Sequence, residues 1–167
     1  SWTTAGQVSN AISFDGTDDH VRVPNSASLN ISGAGSKLTV EAWIKPTNLT
    51  PTFQTFLYKG NSEASECGET NCSDRQYAFF LNDTGYIQLL STSVAGVGVS
   101  MTAVGTAAGI ISTGQWYHIA GVIDSVAGTM KIYVNGVERG SAAYSTTGVR
   151  SAAGGLYIGG SRPVDGI

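Results

Sequence analysis

The sequence predicts an all-β domain built from two antiparallel sheets packed face to face. Three observations predict it. Charged residues make up only 13% of the 167-residue chain while glycine reaches 22 residues, a balance that suits turn-rich strands and not a charge-laced helical bundle. Runs of apolar, β-branched and aromatic residues recur, separated by Gly, Asn, Asp and Pro. The clearest run, Leu38 to Lys45, alternates: Val40, Ala42 and Ile44 share one face, and Glu41, Trp43 and Lys45 the other. The length fits one domain over 1–167 with one core, and an apolar content of 41% is too high for a disordered chain.

The elements follow in order. Ala11 to Phe14 and His20 to Val23 flank the turn Asp15-Gly16-Thr17-Asp18-Asp19 and read as a hairpin closed by Pro24. Leu38 to Lys45 is the next strand, with the Val40/Ala42/Ile44 face as the core face. Phe53 to Lys59 follows and Gly60 ends it. Residues 61–75 form a polar loop holding both cysteines. Tyr77 to Asn82 and Tyr86 to Leu90 make a hairpin around Asp83-Thr84-Gly85. Ser91 to Ala108 has weak periodicity and reads as a strand with a loose loop. Trp116 to Asp124 is a strong strand. Met130 to Val134 and Val137 to Ser141 flank Asn135-Gly136, the residue pair that a type I′ hairpin turn needs because both positions take positive φ. Leu156 to Gly159 is the last strand. No internal repeat interrupts this series.

Several partners are excluded by charge and hydropathy. The net charge is −3 and no basic run occurs, which argues against nucleic acid. No apolar stretch approaches the roughly 18 residues of a membrane span, so membrane insertion is not expected. The two cysteines, Cys67 and Cys72, stand close together in a polar loop. They read as a local disulfide, and so as a secreted or cell-surface protein. Half of a zinc site is the alternative, but neither His20 nor His118 is near that loop in sequence.

Five segments carry a family resemblance. Ala11 to Val21 (AISFDGTDDHV), Leu38 to Pro46 (LTVEAWIKP), Gly114 to Val122 (GQWYHIAGV), Met130 to Val137 (MKIYVNGV) and Leu156 to Gly160 (LYIGG) resemble, in the same order, motifs of laminin-G-like domains of the concanavalin A-like lectin/glucanase superfamily. The resemblance implies a two-sheet antiparallel jelly roll. It also implies a strand before Trp2 and one after Gly166, so the chain reads as a jelly roll lacking its first and last strands, with neighbouring domains or chains beside it.

The functional expectation is a non-catalytic extracellular module that binds carbohydrate or a surface glycoprotein. A self-associating structural or adhesive subunit is the alternative. The glucanases of this fold carry closely spaced carboxylates on one strand for acid and nucleophile roles, and no strand here has them. His118 lies within an alternating strand and reads as a packed residue. Asp15, Asp18 and Asp19 crowd one turn with hard oxygen ligands that suit calcium, although Asp side chains in turns also bond their own backbone. Arg75, Asn82, Asp83 and Arg162 sit in or beside loops and are the expected sugar-binding groups.

Overall fold

The computed structural model describes residues 1–50, 52–60, 75–94 and 99–160. Its strands are β1 (Trp2–Gly6), β2 (Ser9–Ile12), β3 (Val21–Val23), β4 (Lys37–Ile44), β5 (Gln54–Gly60), β6 (Arg75–Leu81), β7 (Ile87–Val94), β8 (Val99–Gly105), β9 (Tyr117–Asp124), β10 (Thr129–Val134), β11 (Val137–Ala143) and β12 (Leu156–Ile158). They form a four-stranded sheet ordered β11-β10-β9-β4, a six-stranded sheet ordered β3-β12-β5-β6-β7-β8, and a separate β1-β2 hairpin. Every pairing is antiparallel. Among the described residues no helix is long and apolar enough to cross a membrane. The chain is the all-β jelly-roll sandwich that the sequence predicts.

The core lies between the two larger sheets. Alternation on β4 sends Leu38, Val40 and Ile44 inward, and Trp43 stays 44% exposed on the outer side. Ile119 and Ile123 of β9 and Met130, Ile132 and Val134 of β10 meet Leu57, Tyr77, Phe79, Leu81, Ile87 and Leu89 of the facing sheet. Burying side chains of this size contributes about 1.5–3 kcal/mol each before ordering costs. At one edge the two sheets approach closely: a Cβ at Gly140 would lie 2.3 Å from the Gly105 carbonyl oxygen. The turn after β10 takes the expected form, with φ of 51° at Asn135 and 77° at Gly136. The Asn135 side chain further locks it by accepting the His118 amide at 2.9 Å.

The expected hairpin of Ala11 to Phe14 with His20 to Val23 does not form. Ala11 pairs with Thr3, and Val23 pairs with Leu156 at the edge of the six-stranded sheet. The reason lies in the intervening turn. Asp15 Oδ1 accepts the Thr17 amide at 2.8 Å and Asp19 Oδ2 accepts the Asp15 amide at 3.3 Å, so the side chains satisfy the backbone locally and no tight turn brings the flanking runs together. The Ser91 to Ala108 region resolves into the end of β7 and all of β8, paired from Gln88–Gly105 to Val94–Val99.

Two local devices shape the six-stranded sheet. Lys59 pairs with Tyr77 while Gly60 pairs with Arg75, so Gln76 is an extra residue in β6. Such a bulge re-aims side chains. The Gln76 amide donates to Asn30 Oδ1 at 2.6 Å and to the Ile31 carbonyl at 3.1 Å. The second device is Lys59, which is fully buried and donates to the Ala152 and Gly154 carbonyls at 2.8 and 2.7 Å. It ties β5 to the segment that leads into β12.

Candidate functional site

The alternation that sends Tyr77, Phe79 and Leu81 into the core turns Ala78 and Phe80 to the outer face of the six-stranded sheet. Tyr157, Tyr58 and Ala78 lie side by side there across β12, β5 and β6, forming a second small apolar cluster with Phe80. Phe80 is opposite Thr55 on β5 and Gln88 on β7, and Gln88 is opposite Gly105 on β8. Gly105 has a specific role in this row. A Cβ there would lie 1.9 Å from the Tyr86 hydroxyl oxygen, so only glycine lets the Tyr86 ring lie on the strand. The Gln88 amide then donates to the Tyr86 hydroxyl at 3.3 Å.

Two loops and the β6 bulge complete the surface. Phe53 is 58% exposed, and its ring meets Phe80 edge to face at 6.5 Å between centroids. The neighbouring Thr52 hydroxyl donates to Asp83 Oδ2 at 3.2 Å, which brings the turn after β6 against Phe53. From the far end of β6, the Arg75 guanidinium carbon lies 5.4 Å from the Phe80 centroid, within cation–π range. Ala78, between them on that face, is fully buried, and its neighbours Tyr58 and Tyr157 are buried as well. Arg75 Nη1 donates to the Met101 thioether at 3.4 Å, and Arg75 Nε is buried without a hydrogen-bond partner. The result is a continuous strip: Asp83, Thr52, Phe53, Phe80, Arg75, Met101. Aromatic rings offer flat apolar surface, and a carboxylate and a guanidinium stand at its two ends. A few polar groups placed around an apolar floor are what a small-molecule site requires.

The expected site residues thus separate. Arg75 and Asp83 share the strip. Asn82 stands next to it, but its Oδ1 is committed to the turn, accepting from the Thr84 amide, the Thr84 hydroxyl and the Tyr86 amide at 3.0, 2.7 and 3.1 Å. Arg162, Cys67 and Cys72 lie outside the described residues. Asp15, Asp18 and Asp19 gather at the start of β3, three strand positions from β6 in the sheet. Their ligand oxygens lie within 4.8 Å of one another. Two oxygens bound to one calcium at about 2.4 Å stand at most about 4.8 Å apart, so the three carboxylates fit a shared ion that takes its other ligands from backbone or water. The Thr17 amide holds the Asp15 carboxyl below the usual carboxylate range. A cleft of about 280 Å³ adjoins the turn, lined by Trp2, Ile12, Phe14, Asp19 and His20.

His118 is not packed in the core. It lies on the outer face of the four-stranded sheet, its ring 5.2 Å from Trp43 and its Nε2 3.6 Å from Glu41 Oε2. Its strand neighbours Ile119 and Ile123 take the core positions instead. Sequence reasoning missed Phe53, Phe80 and Met101. The signal for Phe80 was present, since it alternates with the core residues Phe79 and Leu81. Phe53 and Met101 join the strip only through pairing between strands distant in sequence.

Comparison with known proteins bears on this geometry. A family model described as the concanavalin A-like lectin/glucanases superfamily matches residues 15–166. No curated protein matches the chain. Among solved structures, the binding domain of Paraclostridial Mosquitocidal Protein 1 superposes with a TM-score of 0.71 at 15% identity, over 97% of this chain and 38% of that one. This chain therefore spans well under half of that protein's length. The CBM40 of the Ruminococcus gnavus IT-sialidase, bound to α2,3-sialyllactose, gives 0.58 at 12% identity, over 86% and 78% of the two chains. Domain 4 of AbnA, an extracellular arabinanase from Geobacillus stearothermophilus, in complex with arabinotriose, gives 0.53 at 21% identity, over 96% and 66%.

Proposed function

Because the chain belongs to the concanavalin A-like lectin/glucanases superfamily, we propose that it is a non-catalytic module that binds carbohydrate, free or on a glycoprotein, through the outer face of its six-stranded sheet. The observation that carries this is the strip itself. The exposed Phe53 presents ring surface for the C–H face of a sugar, with the partly buried Phe80 against it, and Asp83, Thr52 and Arg75 present hydrogen-bonding groups for its substituents. Two of the similar structures hold an oligosaccharide, and the third is a binding domain, which supports the same use of the fold here.

The non-catalytic part is supported by the strand carboxylates. Glu41 faces His118, Asp124 pairs with Lys37, and Glu138 pairs with Lys131, each engaged on the four-stranded sheet. The module acts outside the cell, as does the arabinanase that contains one of the similar domains. Asp15, Asp18 and Asp19 would hold a calcium ion, which would neutralise the charge of that turn.

A glycan array tests the proposal, probed with the chain and with Phe80→Ala. Binding to a defined set of glycans that falls at least tenfold in the variant, with an unchanged melting temperature, supports it. Equal binding by the variant, or no glycan bound by the wild type, overturns it.

A further inference from the structure

We infer that Arg75 receives an acidic group, so that the sugar bound on this face carries a carboxylate or a sulfate. This rests on the reading of the face as a carbohydrate site.

Three lysines of the described residues have their acceptors in place. Lys37 meets Asp124 at 2.9 Å, Lys131 meets Glu138 at 2.9 Å, and Lys59 meets two carbonyls. Arg75 is different. Among the described residues no carboxylate forms an ion pair with it. Its acceptor is the Met101 sulfur, a weak one, and its Nε is buried with no acceptor at all. A guanidinium stays charged at any pH a protein meets, so this is a permanent cation with one unsatisfied donor. A buried, unsatisfied donor is unfavourable unless a partner arrives.

Its surroundings hold it ready. The ring of Phe80 lies against the guanidinium, and the Met101 contact fixes one of its nitrogens. The donors of a stacked guanidinium project from its edges, along the face and not into it. Carboxylate and sulfate present two oxygens at the spacing of that fork, and a neutral hydroxyl presents one. The chain as a whole carries a net charge of −3, so it is not a generally basic protein. The Phe53 ring, 58% exposed, continues the floor beyond Phe80, which places the acidic group at the Arg75 end and the rest of the sugar toward Phe53 and Asp83.

The test uses matched pairs of oligosaccharides: sialylated, glucuronate-terminated and sulfated, each with its uncharged counterpart, titrated against the wild type, Arg75→Lys and Arg75→Gln. The expected result is that the wild type prefers at least one acidic member tenfold or more, with an affinity that falls as salt rises. Arg75→Gln then binds acidic and neutral members alike, and Arg75→Lys keeps part of the preference. Comparison of the carboxylate and sulfate arms identifies the acid. Neutral sugars bound as tightly as acidic ones by the wild type would leave the carbohydrate reading standing and overturn this inference. So would a preference that survives Arg75→Gln. Failure of every member to bind overturns both. If Arg75→Gln does not fold, the acid-to-neutral ratio and its salt dependence in the wild type decide the matter alone.

Discussion

The ring of Phe79 in the six-stranded sheet fills the space that a side chain on Gly121 in the facing sheet would occupy. A Cβ at Gly121 would lie 2.4 Å from Phe79 Cζ and 2.9 Å from Leu89 Cδ2. Interior packing at native density leaves no room for such an addition without displacing the ring. Gly121→Ala is therefore expected to destabilise the domain by about 1–3 kcal/mol, the range for overpacking a core. Urea unfolding measures it, and an unchanged midpoint would mean that the two sheets are not in this register. The same ring stacks on Phe56 at 5.2 Å, so its displacement disturbs β5 as well.

Lys59 gives a pH signature. Burial lowers its pKa from the ordinary lysine value of 10.5. The folded state then releases the proton at lower pH than the unfolded state does. Between the depressed folded value and 10.5 the unfolded chain binds more protons, so stability rises with pH through that window. Below the window the burial penalty on the ammonium is fully present. Lys59→Met removes the titration and leaves the Ala152 and Gly154 carbonyls unpaired, an expected loss of about 1–3 kcal/mol at neutral pH. The gap between wild type and variant widens as pH rises toward 10. Chemical denaturation of both proteins across pH 7 to about 10 checks this, and a gap that stays constant would contradict the burial of this amine.

The β10–β11 turn is a smaller test. Gly136 has φ of 77°, a conformation that L side chains rarely adopt. Nothing lies within 4 Å of a Cβ built there, so any cost of Gly136→Ala is conformational and not steric. A loss of about 1–2 kcal/mol is expected. A loss near zero in thermal unfolding would show that the turn relaxes to another type.

Calcium at the Asp15, Asp18 and Asp19 cluster has its own measurement. Binding to the folded chain alone raises stability by about 2.7 kcal/mol when the free ion is one hundred times its dissociation constant. The melting temperature is expected to rise with calcium, to fall back with chelator, and to lose its response in Asp18→Asn. A melting temperature indifferent to calcium would leave the three carboxylates as turn-forming groups, a role Asp15 and Asp19 already fill toward Thr17 and Asp15 amides.

Much of the fold was legible because the local signals were strong. The alternation over Leu38 to Lys45 placed Val40 and Ile44 in the core and Trp43 outside, and Asn135-Gly136 called its own turn. What stayed hidden depends on pairing between segments far apart in sequence. Val23 finds Leu156, and nothing in either run marks the other. β1 was missed because WTTAG has little apolar pattern and gains its pairing from Ser9 to Ile12. At the site, Arg75 and Asp83 were legible as polar residues flanking a hairpin. Their connection through Phe80 and Phe53 was not, since it needs the β6 bulge and the Thr52–Asp83 contact. Lys59 carried no signal of burial, because a lysine at a strand end is ordinarily solvated.

The most direct test of the central claim is residue-resolved mapping of a bound glycan by amide chemical-shift perturbation. Saturation with the tightest glycan from the array is expected to move the amides of Phe53, Thr55, Arg75, Phe80, Asp83 and Gln88, all on or beside the outer face of the six-stranded sheet. Perturbations confined to Glu41, Trp43 and His118 on the opposite sheet, or to the Asp15 to Asp19 turn, would contradict it.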